Sequence, residues 1–120
     1  MKPTEGKGVK REIKFRVWEY EAKEFLYLNP MFGGLFDSRW FIDDEQSVIM
    51  EFTGMLDKNG KDIYEGDIVS IMRQGTKFIG EVKWGSGGFF IYTKQLPNLF
   101  NFSKIHDEVI GNIYQNKELL

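Results

Sequence analysis

The feature that most limits this chain is a period of two, punctuated by glycine. "KFIGEVKW" (77–84) sets Phe78, Gly80 and Val82 against Ile79, Glu81 and Lys83, and "FFIYT" (89–93) follows directly after "GSGG". Alternation sends successive side chains to opposite faces of a strand. A link so short and so rich in glycine is a hairpin turn, with Gly87 at its tip. Comparable strand-forming runs are "REIKFRVWEY" (11–20), "EFLYL" (24–28), "SVIMEFTG" (47–54), "IVSIMR" (68–73) and "EVIGNIY" (108–114). The first two are joined by "EAK", and Gln74-Gly75-Thr76 makes another turn. A further short strand is expected over Arg39–Ile42, inside a loop spanning 29–47. Residues 94–107 read as irregular, with one helical turn. No long segment sustains a helical period. Short strands separated by turn signals predict a mainly β fold, a small barrel with N-terminal strands and irregular loops.

Size and composition set further bounds. At 120 residues the chain is one domain, read as 11–120 behind a flexible basic N-terminal arm at 1–10. Eleven Phe, five Tyr and three Trp reinforce the β reading, since aromatic side chains fit a pleated, half-buried surface. The absence of Cys excludes disulfides, thiolate catalysis and Cys-based zinc sites. No apolar run approaches the roughly 18 residues a membrane helix needs, so no membrane partner is expected. The N-terminus lacks an apolar core like that of a secretory signal, and the expected location is the cytoplasm.

Charge is unevenly placed. Residues 1–16 carry six cations against two carboxylates, while the remainder carries ten against sixteen. A basic segment on an acidic body suits an acidic partner or nucleic acid, or serves only to keep the tail solvated. Lys10, Arg11, Lys14 and Arg16 are the candidate contacts.

The stretch "GMLDKNGKDIYEGDIV" (54–69) raises a choice between a cation loop and a turn. A calcium loop of the helix–loop–helix type needs Gly at its sixth position and a bidentate Glu at its twelfth. Counted from Asp57, those positions hold Asp62 and Ile68. The turn reading fits: Asn59 and Gly60 tolerate positive φ, and Gly66 lets the chain bend before Ile68 and Val69 enter a strand.

Other chemistry is weakly supported. The single His, His106, stands beside Ser103 and Asp107, but a triad needs members that converge from the fold. Gly85–Gly88 resembles a phosphate loop only in composition, because a strand rather than a helix follows. Carboxylates for a magnesium site exist at Asp37, Asp43, Asp44 and Glu45, and at Asp57, Asp62, Glu65 and Asp67. Nothing in their spacing makes them converge, so no metal and no cofactor is assigned. The aromatics carry more promise. Phe89 and Phe90 must face opposite sides of one strand, and Trp18, Trp84 and Phe90 are candidates to stack a base, grip a peptide or close an oligomer. The bland alternative is that Leu96, Leu99, Phe100 and Phe102 cover them.

Taken together in this order, "REIKFRVW", "EFTGMLDKNGKDIYEGDIVSI", "GEVKWGSGGFFIY" and "EVIGNIYQNKELL" resemble the YopX family from Arg11 to Leu120. The resemblance implies a mostly-β fold containing an SH3-like meander. It also implies a small protein of phages and prophages, with no assigned activity and no catalytic residues to carry over. Three functions follow as expectations. The first is a non-enzymatic accessory protein that binds another protein or forms a homo-oligomer. The second is a nucleic-acid-binding module, and the third a metal-dependent hydrolase.

Overall fold

Two hairpins anchor the architecture, and both turn on residues with positive φ. Gln74 and Gly75 sit at φ 52° and 80°, and Ser86 and Gly87 at 53° and 85°. Positive φ at both central positions is the two-residue turn whose twist matches the flanking strands. A computed structural model of the chain describes residues 12–28, 46–94 and 98–120. The expected strand at 39–42, the arm at 1–10 and Leu96 lie outside the described residues.

The strands are β1 (Phe15–Glu19), β2 (Glu24–Leu28), β3 (Ser47–Leu56), β4 (Asp62–Tyr64), β5 (Asp67–Arg73), β6 (Thr76–Gly85), β7 (Gly88–Thr93), β8 (Asn98–Phe100) and β9 (Glu108–Asn112). They form two antiparallel sheets, ordered β2-β1-β3-β4 and β8-β7-β6-β5-β9. One of the two is a curled half-barrel, as expected of a small β-barrel fold. In the five-stranded sheet the meander β5–β6–β7 is in register through Ile71↔Phe78 and Val82↔Ile91.

Burial follows the alternation along the middle of β6, whereas Asp67, Ile68 and Val69 of β5 are all buried. Ile63, Val69, Ile71, Val82 and Ile91 form the buried core, with Phe78, Phe100, Phe102 and Val109 packed around it. Ile79 and Glu81 on the other face of β6 are only half-buried, and Lys83 is exposed. Burying such branched side chains is worth about 1.5–3 kcal/mol each, which makes this layer the main source of stability.

Several boundaries differ from the sequence reading. Residues 12–14 are not strand, and the first strand begins at Phe15. The last strand stops at Asn112, because the Asn112 Oδ1 accepts the backbone N–H groups of Tyr114 and Gln115 and turns the chain. β4 and β8 have three residues each, too short to show a period. The helical turn expected in 94–107 is at Ser103–Asp107, closed by the Asp107 N–H donating to the Ser103 carbonyl at 3.0 Å.

The largest correction concerns β1. Its alternation reads as a strand with one solvent face, yet Arg16, Val17 and Trp18 are all buried. The seam between the two sheets covers the second face. Tyr114 stacks on Trp18 at 5.6 Å between ring centroids, and Phe25 packs beside it at 4.8 Å.

Candidate interaction surface

The seam is built around Gly66. Its φ of 88° is one that only glycine adopts without strain, and a Cβ there would meet Met50 Sδ at 3.1 Å. Its N–H donates to the Val82 carbonyl and its carbonyl accepts from the Ile113 N–H, both at 2.9 Å. One turn therefore ties the N-terminal sheet, the meander and the C-terminal segment together.

Arg16 plugs this seam from β1. Its Nη2 donates to Asp67 Oδ1 at 2.8 Å and to the Glu65 carbonyl at 3.2 Å. The guanidinium lies over the rings of Phe25 and Tyr64, 4.4 and 4.8 Å from their centroids. Asp67 Oδ2 accepts the Tyr64 N–H at 2.8 Å. Burial pushes the Asp67 carboxyl above its ordinary value, against the opposing pull of Arg16 and its hydrogen bonds. Burial likewise raises the Tyr64 phenol to about 12. Arg16 Nε is buried without a hydrogen-bond partner, so the pair is held at some cost. Arg16 and Trp18 thus sit inside the folded protein, where neither can touch a ligand. Of the other expected contacts, Lys14 is spent on Glu12 and Asp62, at 3.4 and 2.8 Å. Lys10 and Arg11 lie outside the described residues.

The acids of the opening stretch are structural too. Asp57 is buried and accepts the N–H groups of Asn59 and Lys61 through Oδ1 and of Val109 through Oδ2, at 2.8 to 2.9 Å. Burial alone would raise its pKa, but these donors outweigh it and hold the carboxyl below the usual value. Asn59 and Gly60 form the turn, with Gly60 at φ 81°. Among the described residues no three His, Cys, Asp or Glu side chains gather as a metal site. Asp37, Asp43, Asp44 and Glu45 lie outside those residues. Asp107 is buried, accepts the Ser103 N–H at 2.6 Å and pairs with Arg73 at 3.0 Å, while His106 is exposed. That arrangement closes a turn.

Along the seam runs an open groove of about 300 Å³, lined among others by Met50, Glu65, Val82, Trp84 and Tyr114. Trp84 is 57% exposed, although its ring rests against Phe89 at 4.8 Å with 64° between the planes. Trp84 shares the inward face of β6 with Val82, but lies beyond the end of the core. Phe89 and Phe90 are both half-buried. The sequence singles out Trp84 and Phe90 but gives no signal for Tyr114. That residue enters the groove only because the Asn112 turn swings it back toward β1.

The family model for YopX protein matches residues 34–120. The chain belongs to the YopX family. Two solved structures share the YopX-like fold. Protein EF1440 from Enterococcus faecalis is 28% identical with a TM-score of 0.64, over 92% of this chain and 99% of that one. Protein yopX from Bacillus subtilis is 22% identical with a TM-score of 0.58, over 89% and 97%. No curated protein matches the chain. Among the described residues of this YopX-family chain, no helix is long and apolar enough to cross a membrane.

Proposed function

We propose that this YopX-family chain is a non-enzymatic accessory protein of phage or prophage that acts in the host cytoplasm by binding another protein. Its contact surface is the groove beside Trp84. The observation that carries this is the exposure of Trp84 at 57%, with its ring braced edge-on by Phe89. Energetic hot spots of protein interfaces are rich in Trp and Tyr, and a braced ring loses little freedom on binding. The occupant is a segment of the partner with an apolar residue for Trp84 and Tyr114. It is basic overall, since the chain after residue 16 carries sixteen acids against ten bases. The non-enzymatic half is supported by the commitments of Asp57, Asp62, Asp67 and Asp107, whose carboxylates hold backbone donors or cations of the fold.

Selection of a displayed random-peptide library on the whole protein tests the reading, with the Trp84→Ala protein as counter-selection. Enrichment of an apolar anchor beside Lys or Arg, lost with Trp84→Ala, is expected. No enrichment, or enrichment that Trp84→Ala leaves intact, overturns it. So does sedimentation showing a dimer that Trp84→Ala dissociates, because the groove would then be filled by a second copy.

A further inference from the structure

A second cavity lies beside Ile79 and Tyr92, and only Glu81 and Lys83 border both it and the Trp84 groove. It measures about 200 Å³ and is lined by Ile79, Glu81, Lys83, Tyr92, Lys94 and Leu120. We infer that this cavity is a nucleotide site, taking a base with an exocyclic amino group against Tyr92 and its phosphate on Lys94.

Volume argues for a ring-sized ligand, since sites for drug-sized molecules run to about 300–1,000 Å³. Tyr92 supplies the stacking surface. Lys83 Nζ already lies over one face of this ring, 5.6 Å from its centroid, so a base would stack on the other face or displace the ammonium. Ile79 and Leu120 make the remaining wall apolar, which suits the edges and faces of a base. Lys94 is exposed at the cavity and has no acid partner among the described residues. An ammonium with no acid partner among the described residues, beside an aromatic wall, suits a ligand that joins a ring to an anion.

Glu81 is the residue that narrows the ligand. It stands directly opposite Tyr92 in the strand register, and its side chain is only 22% exposed. Its contact with Lys83 is long, at 4.0 Å, which leaves carboxylate oxygens able to accept further hydrogen bonds. A carboxylate accepts from the amino group of adenine or cytosine but meets only carbonyl oxygen at the matching position of uracil. The same chemistry could be presented by a free nucleotide or by one residue of a single strand.

The test is an NMR titration of the isotope-labelled full chain with AMP, UMP, adenosine and inorganic phosphate, and separately with an adenine octanucleotide. AMP is expected to shift the amides of Ile79, Tyr92 and Lys94, and to bind about tenfold or more tighter than UMP, adenosine or phosphate, as expected where stacking, a hydrogen bond and a charge contact combine. Lys94→Ala should weaken AMP by about fivefold or more, the size of one charge-assisted contact. It should leave the melting temperature unchanged, because Lys94 is exposed. Glu81→Gln should remove the preference of AMP over UMP. Either source upholds the inference: an octanucleotide that binds far more tightly than AMP, and is displaced by it, makes the source a strand, and equal affinities make it a free nucleotide. No shifts at millimolar AMP, equal binding of phosphate alone, or indifference to Lys94→Ala overturns it. Ile79, Tyr92 and Lys94 border this cavity and not the Trp84 groove, so the shifts at these residues and the Lys94→Ala result separate a failure here from a failure of the groove reading.

Discussion

Asp67 accepts the guanidinium of Arg16 at 2.8 Å across the seam between the sheets, with both side chains almost wholly shielded from water. The pair joins residues 51 positions apart and orients the turn that carries Gly66. Its function is to fix how the N-terminal sheet sits on the meander.

The two partners should therefore not contribute independently. Asp67→Ala leaves a buried, uncompensated guanidinium and is expected to cost about 3–5 kcal/mol in urea unfolding. The double variant Arg16→Met/Asp67→Leu should lose clearly less than the sum of the single variants. Strictly additive losses would show that the two side chains do not act as a pair.

Asp57 should make the protein acid-sensitive. Its carboxyl is held below the ordinary value of 3.8, so its stabilisation is fully present above that value. It is lost as the pH falls through the lower, folded-state value. Asp57→Asn cannot accept three N–H groups through two anionic oxygens, and should cost about 1–3 kcal/mol at neutral pH. Thermal melts across the acid range should show a shallower decline for the variant than for the wild type. Parallel declines would remove Asp57 from the account.

Tyr64 should ionise later than an ordinary phenol. Burial lifts it from 10.0 to about 12. The folded state then holds the proton more tightly than the unfolded state. The corresponding stability is complete below pH 10.0 and is lost as the pH rises toward 12. An absorbance titration of phenolate should show a late step that Tyr64→Phe abolishes. A variant with the same late step would assign it to another tyrosine.

Two glycines of the β6–β7 hairpin should respond oppositely to alanine. At Gly80 a Cβ would lie 2.6 Å from Ile91 Cγ2 and 2.8 Å from the Tyr92 carbonyl oxygen. Gly80→Ala should cost about 1–3 kcal/mol by overpacking. At Gly88 nothing lies within 4 Å, and its φ is outside the left-handed region. Gly88→Ala should gain about 0.4–1 kcal/mol by restricting the unfolded chain. Chemical denaturation of both variants checks the contrast, and equal effects would contradict it.

Most strands and turns of this protein are written locally. Alternation from Lys77 to Trp84, the Ser86-Gly87 and Gln74-Gly75 tips and the Asn59-Gly60 turn depend only on near neighbours, because strand period and positive φ are properties of a few adjacent residues. The exposure of Trp84 is half legible: the period gives its face, but only the fold shows that the core ends before reaching it. The roles of Arg16 and Trp18 are not legible at all. Each alternates with Val17 as surface residues do, and only Asp67, Tyr64 and Tyr114, arriving from distant segments, bury them. A carboxylate or an arginine in sequence has a charge but no partner. Burial and pairing are decided by which chain segments meet, and that decision belongs to the tertiary structure.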